Sequence, residues 1–129
     1  MGATHADPGL DAAGLDLDAL DWPELTRRLD EDGCAVTPPI LDAQRCAETI
    51  AMFDDDHRFR STVHMARHAF GEGSYRYFAD PLPPLVQALR TRLYQPLARV
   101  ANDGARRLGE QTYPETLDGL VAACAARGQ

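Results

Sequence analysis

Residues 57–84, HRFRSTVHMARHAFGEGSYRYFADPLPP, concentrate the side chains of this chain that could do chemistry. They hold three of its four histidines, His57, His64 and His68, and a Tyr75-Arg76-Tyr77-Phe78 run beside Gly71-Glu72-Gly73. Imidazole can ligate a metal or carry a proton near neutral pH. Arginine offers a planar donor fork to carboxylate or phosphate, and tyrosine supplies a wall that is part apolar and part polar. Arg67, His68, Tyr75, Arg76 and Tyr77 therefore suit a site for a polar or anionic small molecule. The plainer reading is an ordinary hairpin with half-buried aromatics, which strands favour in any case. The residues alone leave both open.

Metal chemistry fits this stretch less well. On a helix, His64 and His68 would share a face as in a zincin, but Met65 stands where that motif has glutamate. On a strand the pair lie about 13 Å apart at ~3.3 Å per residue. Ligands to one ion sit ~2.1 Å from it, so a strand excludes a shared metal. His5-Ala6-Asp7 matches H-x-D, two members of an iron facial triad. It lies beside Pro8 and Gly9 with none of the rigid support such a site needs, and reads as a chance match. A centre built from His57, His64 and His68 with Asp54–Asp56 is the weakest hypothesis. No metal ligand is assigned.

The elements that must position these residues follow from caps and periodicity. Residues 1–20, rich in Gly, Ala and Asp, are expected to be a flexible acidic segment. A single helical domain is expected over 21–129. Asp21, Pro23 and Glu24 open a helix, Trp22, Leu25 and Leu29 form its stripe, and Gly33 ends it. Cys34–Thr37 is a short extended piece before Pro38-Pro39. Asp42 caps a second helix with Ala43, Cys46, Ala47, Ile50 and Phe53 on its apolar face. Three acids, Asp54–Asp56, meet the negative end of that helix and should stop it.

Residues 61–70 suit a strand with Val63, Met65, Arg67 and Ala69 on one face and His64, Ala66, His68 and Phe70 on the other. Gly71-Glu72-Gly73 makes a tight turn. Residues 74–79 return with Tyr75 and Tyr77 facing one way and Arg76 and Phe78 the other, so the hairpin spans about 61–79. A long helix follows on Leu85, Leu89, Leu93, Leu97 and Val100, kinked or restarted at Pro96. Thr112 and Glu115 form a capping box for a last helix through Leu117, Leu120, Val121 and Cys124. The fold class is α+β: about five helical segments around one short antiparallel hairpin, with an extended piece near residue 35.

Composition sets the limits. At 129 residues the chain has room for one modest core. The net charge of −7 argues against nucleic acid as a partner. That charge is uneven: residues 1–56 hold 14 acids against 3 arginines, and residues 57–129 hold 6 acids against 10 arginines. Every basic side chain is arginine, which reads as codon bias. Cys34, Cys46 and Cys124 form no CxxC; Cys46 and Cys124 read as small core residues. No signal-peptide pattern and no membrane-length apolar run occurs, so a cytoplasmic location is expected.

The M-A-R-H-x-F-G-x-G-x-Y-[KR]-Y-F core at residues 65–78, with Leu20-Asp21-Trp22, the Gly33–Pro38 segment and the Tyr113-Pro114 helix, resembles the N-terminal region of a bacterial family of 2-oxoglutarate- and Fe(II)-dependent oxygenases. Arg76 stands where Lys is expected at least as often. The resemblance implies a double-stranded β-helix that carries H-x-D and a distal His for iron, with a later Arg for 2-oxoglutarate. In that layout the barrel begins just after residue 129. No position here matches the triad or that arginine, so no catalytic residue is carried over. The resemblance implies a framework that offers Arg67, His68, Tyr75, Arg76 and Tyr77 to the substrate side.

Three expectations follow. The chain is the N-terminal part of an oxygenase that hydroxylates a small molecule or a protein side chain, and is non-catalytic alone. Fe(II) and 2-oxoglutarate belong to the full-length form, with no cofactor in this chain by itself. The partner is a C-terminal barrel domain or a second copy, with no nucleic acid and no membrane. The alternative is a non-catalytic helical module for interaction or dimerisation.

Overall fold

A computed structural model describes residues 15–69 and 71–129. His5-Ala6-Asp7 and Phe70 lie outside the described residues. The architecture is α+β, mainly helical, with one two-stranded antiparallel sheet. Its elements are α1 (Trp22–Asp32), α2 (Ala43–Ala51), β1 (Phe59–His64), β2 (Ser74–Phe78), α3 (Pro84–Leu108) and α4 (Leu117–Ala126). Short 3₁₀ turns occupy Met52–Asp54, Asp56–Arg58 and Met65–His68. No helix among the described residues is long and apolar enough to cross a membrane. The described residues form two compact units: 15–16 with 39–87, and 17–38 with 88–129.

In the first unit, Leu15 falls within the segment expected to wander, yet it is fully buried and bridges Leu41. The Asp16 N–H donates to the Ile40 carbonyl at 3.1 Å. Burying a leucine contributes roughly 1.5–3 kcal/mol, which favours order there. Residues 34–40 form no strand; this bridge is the β pairing beside them. Asp42 caps α2 as expected, its carboxylate accepting from the Arg45 N–H at 2.7 Å. The apolar face of α2 is not core: Cys46 is exposed and Ile50 is 73% exposed. The α-helix gives way at Met52 to two 3₁₀ turns, and the Asp55 carboxylate caps the second by accepting from the His57 N–H at 3.3 Å.

The hairpin departs from the regular alternation at two places. Phe59 pairs with Phe78, but Ser61 pairs with Tyr77, so Arg60 is an extra residue in β1. Such a bulge reverses the parity of the strand. Further on, β1 ends at His64 opposite Ser74, where the strand had been expected to run to residue 70. Strand β2 begins at Ser74, so residues 65–69 have no partner strand among the described residues, and an unpaired extension would leave backbone groups without bonds. Residues 65–68 close on themselves instead as a 3₁₀ turn, after the Met65 N–H bonds the Gly73 carbonyl at 3.0 Å. Gly71 and Gly73 do take positive φ values, 98° and 118°, but within a nine-residue connection, 65–73, in place of a tight turn.

The second unit holds α1, residues 88–108 of α3, and α4. The Asp21 carboxylate accepts from the Glu24 N–H at 3.1 Å. Gly33 closes α1 at φ 73°, its N–H bonded to the Leu29 carbonyl at 3.1 Å. Leu20, Leu25, Ala98 and Ala105 are buried, with Asn102 as the buried polar residue. Arg107 grips Asp30 with both terminal nitrogens at 3.1 Å, which raises the guanidinium pKa above its ordinary value.

Helix α3 runs on through Pro96 without the restart that was one of the two expectations there. Pro96 removes one N–H donor, and buried Ala98, Asn102 and Ala105 follow it on the same helix. Steps of four residues over-rotate a helix by about 40° each, so the expected leucine stripe walks off the buried face. Leu97 is half exposed, and Ala98, Asn102 and Ala105 take the interior. The last helix begins later than its expected box. Thr116, not Thr112, is the N-cap, its hydroxyl accepting from the Gly119 N–H at 3.1 Å.

Candidate functional site

The bulge at Arg60 sorts the hairpin side chains onto two faces. Phe59, Thr62 and His64 of β1 join Arg76, Phe78 and Ser74 of β2 on one face. Ser61 and Val63 join Tyr75 and Tyr77 on the other. Adjacent residues of a strand point oppositely, so Arg76 cannot share a face with the tyrosines that flank it.

Arg76 is the anchor of its face. Its Nε donates to Thr62 Oγ1 at 3.0 Å, one terminal nitrogen donates to the Phe53 carbonyl, and the other donates to Asp56 Oδ1 at 2.6 Å. Its guanidinium lies 4.1 Å from the centre of the Phe59 ring and 5.4 Å from that of Phe53. Phe59 and Phe78 stack across the strands at 4.9 Å. The Arg76 side chain is only 12% exposed. Three of its five N–H donors are spent on protein acceptors, and this arrangement reads as structural. His64 lies on the same face, its Nδ1 2.8 Å from Ser74 Oγ.

The other face is open. Tyr75 and Tyr77 are 45% and 47% exposed, with their rings edge to face at 5.6 Å. Arg60 lies 5.5 Å over the Tyr77 ring, a cation–π arrangement. Val63, Met65, His68 and Tyr75 line an open concavity of ≈ 620 Å³. Its walls are mostly apolar, with an imidazole and a phenol among them. Arg67 is exposed in the same 3₁₀ turn as His68. Of the five residues singled out in the sequence, the structure brings His68 and Tyr75 to one concavity, sets Tyr77 beside Tyr75, leaves Arg67 in the adjoining turn, and turns Arg76 to the opposite face.

Arg60 and Met65 were not legible as site residues. The one signal for the bulge is that Phe59 and Val63 share parity in a regular strand, whereas their partners Phe78 and Tyr75 do not. His57 lies apart from this concavity, in a cleft of ≈ 300 Å³ beside Arg58 and residues 79–84.

Iron coordination needs several histidine or carboxylate donors around one point. Among the described residues no group of three His, Cys, Asp or Glu is placed to hold a metal ion. The resemblance assigns the ferrous centre to a barrel and not to these residues, and no step is derived through it.

Comparison with known families gives one match. Residues 73–129 match an oxygenase family, Oxygenase-NA, described as catalysing oxidative methylation of damaged DNA. The match begins at the glycine before β2 and takes in Tyr75, Arg76, Tyr77, α3 and α4. No curated protein and no solved structure matches the chain. Over residues 73–129 the chain resembles an oxygenase family.

Proposed function

We propose that this chain is the framework part of an oxygenase that uses Fe(II) and 2-oxoglutarate, and that the open hairpin face stands on its substrate side. The observation that carries the reading is the family match across residues 73–129. The cofactors come from the resemblance of the 65–78 core, and iron with 2-oxoglutarate would supply the oxidising chemistry. The contribution of this chain is to hold and orient substrate.

The expected substrate was a small molecule or a protein side chain. The description of the matched family favours a nucleobase in damaged DNA. The charge objection to DNA weakens locally, because residues 57–129 carry four more arginines than acids. Succinate release in the presence of Fe(II), 2-oxoglutarate and an alkylated oligonucleotide is the test. A longer polypeptide that joins this chain to an H-x-D…H barrel is expected to release succinate, and the 129-residue chain alone to release none. Succinate from the chain alone, or none from the longer polypeptide, overturns the reading.

A second reading, a helical interaction or dimerisation module, is favoured by the apolar surface of α2 and α4. Ile50 of α2 is 73% exposed, and no residue of α4 is buried. A helix apolar on most of its faces ordinarily needs cover. Size-exclusion chromatography with light scattering tests it: a dimer at micromolar concentration supports this reading, and a monomer that captures no barrel domain removes it.

A further inference from the structure

Resting on the DNA reading above, we propose that the outward hairpin face binds a single strand, with Tyr75 as the base-stacking ring and Arg60 and Arg67 as the phosphate partners. Three observations carry this. First, Tyr75 borders the ≈ 620 Å³ concavity, whose remaining walls are Val63, Met65 and His68. That is room for one planar base between an aromatic ring and apolar side chains. Tyr77 is less available, because the Arg60 guanidinium already lies over its ring.

Second, the charge is complementary. None of Arg60, Ser61, Val63, Met65, His68, Tyr75 and Tyr77 is acidic. Arg60 and Arg67 are exposed at the face and in the turn beside it, and neither forms an ion pair among the described residues. Arg76, by contrast, is consumed on the opposite face and is not available to a strand.

Third, the geometry selects the form of the nucleic acid. In a duplex the faces of the bases are stacked on one another, so a tyrosine ring lining an open concavity reaches a base face only when the base is unstacked. Aromatic stacking beside arginine is the means by which single strands are held without base-pair readout.

The test is fluorescence anisotropy of a fluorescein-labelled oligothymidylate titrated with the 129-residue chain at low salt. Tyr75→Ala is expected to weaken binding roughly 5- to 150-fold, the span of a lost base–aromatic stack. Tyr75→Phe is expected to bind as the parent does, since stacking needs the ring and not the hydroxyl. Arg60→Gln is expected to lower the slope of log affinity against log salt by about 0.7, one phosphate contact on a single strand. Arg99→Gln, in the other compact unit, is expected to leave that slope unchanged. Absence of binding, equal or tighter binding of the matching duplex, an unaffected Tyr75→Ala, or an Arg99→Gln effect equal to that of Arg60→Gln would each overturn the proposal. Loss of binding in Tyr75→Phe would overturn the stacking role. Normal 2-oxoglutarate turnover by the longer polypeptide with no strand binding would sink this inference and spare the oxygenase reading.

Discussion

Asn102 holds Tyr113 by both of its backbone polar groups. The Asn102 Nδ2 donates to the Tyr113 carbonyl at 3.0 Å, and the Asn102 Oδ1 accepts from the Tyr113 N–H at 2.7 Å. One buried side-chain amide on α3 thereby stands in for a strand partner. Tyr94 continues the arrangement, its hydroxyl donating to the Pro114 carbonyl at 2.6 Å. Two residues on one face of α3 thus pin the segment that leads into α4.

Asn102→Ala removes both bonds from a residue that is nearly fully buried. The expected loss is about 1–3 kcal/mol, because water can partly replace the bonds at the half-exposed Tyr113. Tyr94→Phe, which removes one hydroxyl bond, should cost about 1 kcal/mol. Urea denaturation followed by circular dichroism measures both. An Asn102→Ala loss no larger than that of Tyr94→Phe would contradict the double tie.

Arg76 and Asp56 make an ion pair of unequal members. Arg76 is nearly buried and has three acceptors and two rings, whereas the Asp56 side chain is 87% exposed. Arg76→Ala should therefore cost about 2–4 kcal/mol, and Asp56→Ala about 1 kcal/mol or less. Arg76→Lys should fall between them, since it keeps the charge near Phe59 but loses the planar fork. Equal losses for Arg76→Ala and Asp56→Ala in thermal melts would show that the pair, and not the aromatic and carbonyl contacts, dominates.

Thr116→Ala should destabilise α4 by about 1 kcal/mol, the usual cost of a lost N-cap. Thr112→Ala should be nearly silent, because α4 begins at Leu117. Amide hydrogen exchange at Gly119 reports on the helix start directly. Faster exchange in Thr112→Ala than in Thr116→Ala would place the cap four residues earlier.

Glu24 gives a pH dependence with a defined sign. Hydrogen bonds from Arg27 and then Arg28 lower its pKa from 4.5 to about 2. The folded state thus favours the carboxylate more than the unfolded chain does. The stabilisation is complete above about 4.5 and is lost as pH falls from there toward about 2. The Glu24 side chain is 42% exposed, so salt screens the effect. The Glu24 carboxyl carbon, followed by NMR, should titrate near 2 in the parent and move toward 4.5 in Arg27→Gln. An unshifted midpoint in that variant would remove Arg27 as the main cause.

The local features of this fold were legible in the sequence because their causes are local. Asp21, Asp42 and Gly33 cap helices where their spacing indicates, and Tyr75 and Tyr77 part from Arg76 as alternation requires. What failed depends on distant partners. Spacing on α2 reveals an amphipathic face, but not whether anything covers Cys46 or Ile50. The Thr112 box was outcompeted by Asn102 and Tyr94, which hold residues 113–114 out of the helix. The strand past His64 had suitable residues and no neighbour to pair with. The acceptors of Arg76, at Phe53 and Asp56, lie twenty or more residues away in the sequence, so its role as an anchor on the face opposite the tyrosines was not legible.

The single supernumerary residue in β1 has a consequence for insertions and deletions. Excising Arg60 would set Phe59 directly before Ser61, and regular alternation would then keep Phe59 opposite Phe78 and the guanidinium beneath it. The same deletion would take away the cation that lies over the Tyr77 ring. One codon at that point therefore leaves the sealed aromatic underside intact and strips the receptive top of its charge.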